Sequence, residues 1–329
     1  MPIFSSNAAH CRLAPGMVRR GFLLLLLVPV LASADTVLYQ GSVPLKGTTA
    51  ADRTSAIGDA LRIAAIRASG RREAASNPVV VAAAADPAGF VQQYSTTTDR
   101  MLKVGFDAGS MEQMLQKAGL PLWPTERPTT LVVLFIPTVA AGSRAVLASE
   151  HPPERAEAER VAQVRGVPIA WPQQVLEPAQ VRGRAPDGPA AAVLIGSGAG
   201  AQMDWTFSHA ALAARGQGGV AAGIDLAADT LAERYAPAST RDLTVQTVRV
   251  GGVTDLGAYA GLLVYLRSLS LVRGVGVDEL SGGTVRLKLS LRGDVELLRR
   301  IAALDAHLVA TARAEAADAD AGTDFTWQP

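Results

Sequence analysis

The clearest periodicity lies near the end of the chain. Val285, Leu287, Leu289 and Leu291 alternate with Arg286, Lys288, Ser290 and Arg292, the period-2 pattern of a half-buried antiparallel strand. The turn residues Ser281-Gly282-Gly283 separate this run from Val275, Val277 and Leu280, so the two runs form a hairpin. Upstream, Leu243 to Val250 reads as a strand. Leu256, Tyr259, Leu263, Leu266 and Leu269 then fall at helical spacing behind a cap at Thr254 or Asp255. Asp294 to Leu304 closes as a second helix. A β-α-β-β-α order needs an antiparallel pair packed on helices, which makes residues 243–310 an α+β module. Residues 311–329 are acidic, alanine-rich and unpatterned, and are expected to form a flexible tail.

The same reading organises the remainder. Val37 to Val43 is a first strand. Thr49-Ala50-Ala51-Asp52 has capping-box spacing, and Ile57, Leu61, Ala64 and Ala68 make one helical stripe that stops at Gly70. Val79 to Ala85 fits either a strand or a helix, and Tyr94 to Phe106 is extended. Ser110 is placed as the cap of a short helix whose stripe is Met111, Met114, Leu115 and Ala118, ended by Gly119. The proline-bearing link Leu120 to Pro128 ends an N-terminal α/β subdomain of residues 35–128. A middle subdomain of residues 129–242 follows. It holds a buried strand at Leu131 to Ile136, a charged helix at Glu154 to Arg165 and a strand at Val167 to Trp171. Gln173 to Pro189 is read as an exposed loop and Ala191 to Ile195 as a strand. Met203, Trp205 and Phe207 share one face of a β-meander, and Gly218 to Tyr235 is a helix. The expected class is α+β, in two or three small mixed α/β subdomains.

The first 34 residues carry a different pattern. Arg19 and Arg20 precede an unbroken apolar stretch, Gly21 to Leu31, and the small residues Ala32-Ser33-Ala34. This is the order of a secretory signal peptide, too short to span a bilayer, with cleavage expected after Ala34. Met17 makes a more typical start than Met1. Arg19-Arg20-Gly21-Phe22-Leu23 also resembles the twin-arginine export motif, although so apolar a run suits the general secretory route better. The expected location is the periplasm. Cleavage removes three of 31 basic residues and none of 30 acidic ones, turning a net charge of +1 into −2. It also removes Cys11, the one cysteine, so the mature chain must be held together by packing alone. Neither charge is that of a nucleic-acid binder, and no second long apolar run predicts stable membrane insertion.

Candidate chemistry is sparse. Gly196-Ser197-Gly198-Ala199-Gly200-Ala201 fits G-x-G-x-x-A behind an apolar run, with Asp225 near the spacing of a ribose-binding acid. The alternation after it predicts a strand where a dinucleotide site needs a helix, so the run reads as a hairpin turn. His151, His209 and His307 form no close metal-ligand pair, and no G-x-S-x-G elbow accompanies them. Glu154, Glu157 and Glu159 mix with Arg155 and Arg160 as on a solvated helix face. Asp278-Glu279 reads as turn chemistry and Arg182-Gly183-Arg184 as an exposed loop. Trp123, Trp171 and Trp205 are expected as packing anchors. No catalytic, cofactor-binding or metal-ligating residue is assigned, and no cofactor is expected.

An ordered set of short motifs carries a family resemblance: Arg67-Ala68-Ser69-Gly70, Gln93-Tyr94, Leu102-Lys103-Val104-Gly105-Phe106-Asp107, Leu120-Pro121-Leu122-Trp123 and Arg127-Pro128. Together they resemble the bacterial domain of unknown function 2066, a family of exported proteins, over about Asp35 to Leu304. The resemblance implies an envelope protein without assigned catalytic residues, and Trp123 and Arg127 as signature positions. On physical grounds Trp123 plugs a gap between helix and sheet, and Arg127 ties the proline-rich link. The function expected is that of a non-enzymatic accessory or interaction factor whose partners are unknown envelope proteins. Its alternatives are an exported oxidoreductase using Gly196–Ala201 and a cell-wall hydrolase using one of the histidines.

Overall fold

Among the described residues, three sheets and seven α-helices make an α+β fold. The computed structural model describes residues 38–138, 142–176, 192–237, 243–311 and 324–329. The leader, most of the loop after Gln173, including Arg182 and Arg184, and residues 312–323 lie outside the described residues.

The first sheet is antiparallel, with β1 (Gln40–Pro44), β2 (Val91–Thr96) and β3 (Met101–Phe106) in the order β1-β3-β2. Helix α1 (Ala50–Ser69) opens with the predicted capping box between Thr49 and Asp52. It buries Leu61, Ala64 and Ala68 completely and ends at Gly70, φ +69°. The ambiguous alanine run is helix α2 (Pro78–Ala85), because Asn77 caps Val79 N and Pro78 stands at the first turn. Helix α3 (Ala108–Lys117) corrects the expected cap. Asp107 is the cap, accepting from the Ser110 amide at 2.8 Å, and Ser110 lies inside the first turn.

The second sheet contains β4 (Thr130–Thr138), β5 (Gly142–Ala145), β6 (Ile169–Ala170), β7 (Ala192–Ala199), β8 (Gln202–His209) and β9 (Leu212–Gly218). Its order is β5-β4-β7-β8-β9, with β6 also on β4. The predicted alternation of β8 holds. Met203, Trp205 and Phe207 are buried under helices α4 (Pro153–Arg165) and α5 (Val220–Tyr235), while Asp204, Thr206 and Ser208 face outward. Room for the Trp205 ring exists because Gly196 and Gly223 lack Cβ atoms. Cβ atoms built there would come 2.3 and 2.2 Å from its ring carbons.

The third sheet orders β11 (Val272–Ser281), β12 (Thr284–Leu291), β10 (Thr244–Gly251), β14 (Phe325–Trp327) and β13 (Leu308–Ala310) from edge to edge. With α6 (Leu256–Ser268) and α7 (Val295–Ala302) it contains the predicted β-α-β-β-α unit. Val285, Leu287, Leu289 and Leu291 are fully buried. Two expectations are corrected. Leu256 is 79 % exposed; Leu266 and Leu269 of the expected stripe are buried, and Leu262, outside it, is buried with them. Of the tail expected at 311–329, residues 312–323 lie outside the described residues, and Phe325–Trp327 form β14, parallel to β10, with Phe325 and Trp327 buried. The first sheet and its helices form one apolar cluster. The second and third sheets share another, so the boundary expected at residue 242 separates sheets but not cores.

Candidate functional site: an arginine crossing beside a cavity

The last carbonyls of any helix lack partners within it, and their partial negative charge favours cations. Helices α1 and α4 end side by side, and each lends the other an arginine. Arg67 Nη2 donates to Gln163 O at 2.6 Å, and Arg165 Nη2 donates to Gly70 O at 2.9 Å. A third arginine arrives from the proline link. Arg127 Nε donates to Pro124 O at 2.9 Å, Nη1 to Gly166 O at 2.7 Å, and Nη2 to Arg67 O at 2.9 Å and Trp123 O at 3.2 Å. Its guanidinium carbon stands 3.9 Å from the centroid of the fully buried Trp123 ring, a cation–π contact. Arg127 therefore ties the link as expected, and Trp123 fills the core beside α1, its amide donating to Ala68 O at 2.7 Å. Gly166 admits this arrangement for two reasons: its φ is +69°, and a Cβ would lie 2.2 Å from Arg127 Nη1.

The charges at the crossing are unequally matched. Arg165 is 1 % exposed and pairs with Asp225 and Asp229, both at 2.5 Å. Arg72 reaches Asp225 as well, at 2.9 Å. Arg127 makes no ion pair among the described residues; its nearby carboxylate, Glu126, accepts from Ser270 N at 2.7 Å and Ser270 Oγ at 2.6 Å. Burial first, and the Arg67 charge second, lower the Arg127 pKa, while Glu126 and Tyr39 oppose the shift. A guanidinium keeps its charge at neutral pH nonetheless. A cavity of about 410 Å³ opens beside the crossing, lined by Leu38, Gln40, Val167 and Pro168 among others, with Arg67 and Arg127 in its wall.

A second charged cluster joins the first sheet to the third. Glu112 on α3 accepts from Tyr39 Oη at 3.1 Å and pairs with Arg273 at 2.5 Å and Arg292 at 2.7 Å. Burial raises the Glu112 pKa, but the Arg292 hydrogen bond and the charges of Arg292 and Arg273 outweigh it, and the net shift is downward. Burial, and then Glu112, push the Tyr39 hydroxyl upward.

The residues singled out in the sequence are dispersed. Gly196 to Ala199 belong to β7, and Gly200-Ala201 form the two-residue turn into β8, with Gly200 at φ +61°. No helix follows them. Asp225, near a ribose-acid spacing, is held by Arg165 and Arg72. His151 is exposed. His209 is buried, its Nε2 2.8 Å from the Tyr235 hydroxyl. His307 Nδ1 lies 3.3 Å from Gln328 O and its ring stacks on Trp327. Glu159 pairs with Arg155 at 2.8 Å and accepts from Trp171 Nε1 at 3.1 Å. Asp278 and Glu279 pair with Lys288 and Arg286 of the neighbouring strand. Trp123, Trp171 and Trp205 are buried anchors. Among the described residues no group of three His, Cys, Asp or Glu could hold a metal ion, and no helix is long and apolar enough to cross a membrane. Arg165 and Glu112 went unnoticed, because a lone basic residue in a last helical turn or a lone acid in an amphipathic helix has no sequence signature of a partner.

Comparison with known families corrects the resemblance to domain 2066. Residues 32–124 match a different family, a domain of unknown function, DUF8605. The match covers the first sheet and helices α1 to α3 and includes Trp123, whereas Arg127 lies beyond it. No curated protein and no solved structure matches the chain.

Proposed function

We propose that this is a non-enzymatic protein of the cell envelope, exported with removal of its leader after Ala34, that acts by binding other envelope proteins. One observation carries the reading. Strand β11, ten residues long, lies at the edge of the third sheet among the described residues, with Val277 45 % and Leu280 58 % exposed. An open edge offers unpaired backbone groups to an extended segment of a partner, and alternate side chains supply specificity. Bulges between Val272 and Gly274 and between Val277 and Glu279 break that edge into short stretches. Interruptions of this kind oppose indiscriminate self-pairing while leaving a short strand addition feasible. Fractionation and intact-mass measurement provide the test. The expected result is a chain beginning at Asp35 in the periplasmic fraction, eluting with a second protein in fixed proportion. A cytosolic chain that retains its leader overturns the reading.

A further inference from the structure

A surface helix turns charged side chains outward, as α4 does with Glu157, Glu159 and Arg160. Helix α6 does not. From Leu256 to Leu266 it holds no charged residue, and Leu262 and Leu266 already occupy its core side. Its outer side presents Leu256, 79 % exposed, and Val264, 68 % exposed, with Ala260 exposed between them. These three stand at i, i+4 and i+8, so they share one helix face and span about 12 Å along it. An aligned apolar row costs free energy in water and marks an interaction surface.

The face is complementary to itself. Leu256 and Val264 lie one turn either side of Ala260. A second copy of α6 laid antiparallel and centred on Ala260 therefore sets Leu256 of each copy against Val264 of the other. Ala260 is small enough to let the two axes approach to about 8 Å. The end charges fix the direction. Asp255 caps the start of α6, and Arg267 stands in its last turn. Antiparallel pairing brings each Asp255 to the end that carries the other copy's Arg267, whereas parallel pairing sets Arg267 against Arg267. We propose that the chain forms a two-fold homodimer through α6, antiparallel about Ala260. A 13-residue helix covers less than the roughly 800 Å² per partner of a standard interface, so the dimer is weak, with a Kd on the order of 10 µM. The proposal does not use β11 and stands apart from strand addition at that edge.

Sedimentation equilibrium of the protein purified from cells, at about 1–500 µM, tests the proposal. The expected result is a reversible monomer–dimer equilibrium. Val264→Lys and Leu256→Glu are each expected to weaken it at least about tenfold. Both positions are exposed, so the urea midpoint should stay where it is. The double variant Leu256→Glu/Val264→Lys sets opposite charges against each other at both ends of the antiparallel seam. It is expected to dimerise at least about threefold more tightly than either single variant. A protein monomeric throughout that range overturns the proposal, and is the result to be seen if a different protein or another segment of the same chain covers α6. A dimer that Val264→Lys leaves unchanged, or a double variant no tighter than the singles, overturns it equally.

Discussion

Arg67 and Arg165 cap each other's helices: the first donates to Gln163 O near the end of α4, the second to Gly70 O at the end of α1, across sequence separations of 96 and 95 residues. The exchange fastens the helix over the first sheet to a helix over the second. Each arginine removed leaves a helix end short of a donor and releases the partner helix. The two substitutions to alanine are therefore expected to be non-additive in urea unfolding, with a coupling of about 1 kcal/mol or more.

Arg165→Ala alone is expected to be among the more damaging changes, costing about 3 kcal/mol. It strips the side chain from between Asp225 and Asp229, of which Asp225 is the more buried. Equilibrium denaturation measures the loss, and Asp225→Asn in the Arg165→Ala background is expected to recover part of it.

Arg127→Lys keeps the charge but not the fork. One ammonium cannot reach Pro124 O, Gly166 O, Arg67 O and Trp123 O together, nor stack on the indole with a planar face. A loss of about 2 kcal/mol is expected from the abandoned carbonyls, read as a lower urea midpoint at unchanged slope.

Acid should loosen the junction of the first and third sheets. The Glu112 pKa is depressed below its ordinary value of 4.5, so its stabilising contribution is complete above that value and is lost as pH falls through the lower folded value. Glu112→Gln is expected to cost about 1 kcal/mol near neutral pH, the pair being partly exposed, and to flatten the stability profile below pH 4.5. A parallel profile for the two proteins would assign the acid limb elsewhere.

The C-terminal strand should be needed for folding of the third sheet. Trp327→Ala is expected to cost about 3–5 kcal/mol, since the indole is buried in the shared core beside Tyr265. Hydrogen exchange should then rise at Val250 and Gly251, the residues that β14 pairs on β10.

Legibility in the sequence followed how locally each element is determined. Strands β8 and β12 were plain because one face is apolar at every second residue. Helix α1 was plain because its cap, stripe and glycine stop all lie in its own sequence. Strand β9 was missed, since Ala213, Ala214, Gly216 and Gly218 have low strand propensity and the strand exists because β8 templates it. Strand β14 was missed for a similar reason: three residues become a strand only beside β10 and β13. Leu256 fits the helical period, yet it occupies the first turn of α6, where packing does not reach it. At the crossing, the capping of α1 and α4 by distant arginines depends on tertiary approach; Arg127 was singled out only through the family resemblance and read as a tie of the link, and its contacts with the two helix ends had no signal in the sequence.

Photo-crosslinking in living cells tests the binding function most directly. The crosslinker replaces Leu280 on β11 in one experiment and Tyr94, 52 % exposed on β2 of the first sheet, in another. A single discrete adduct from position 280, absent from position 94 and lost when Val277→Lys is added, is the predicted result. No adduct from position 280, or the same set of adducts from both positions, would contradict binding through this edge.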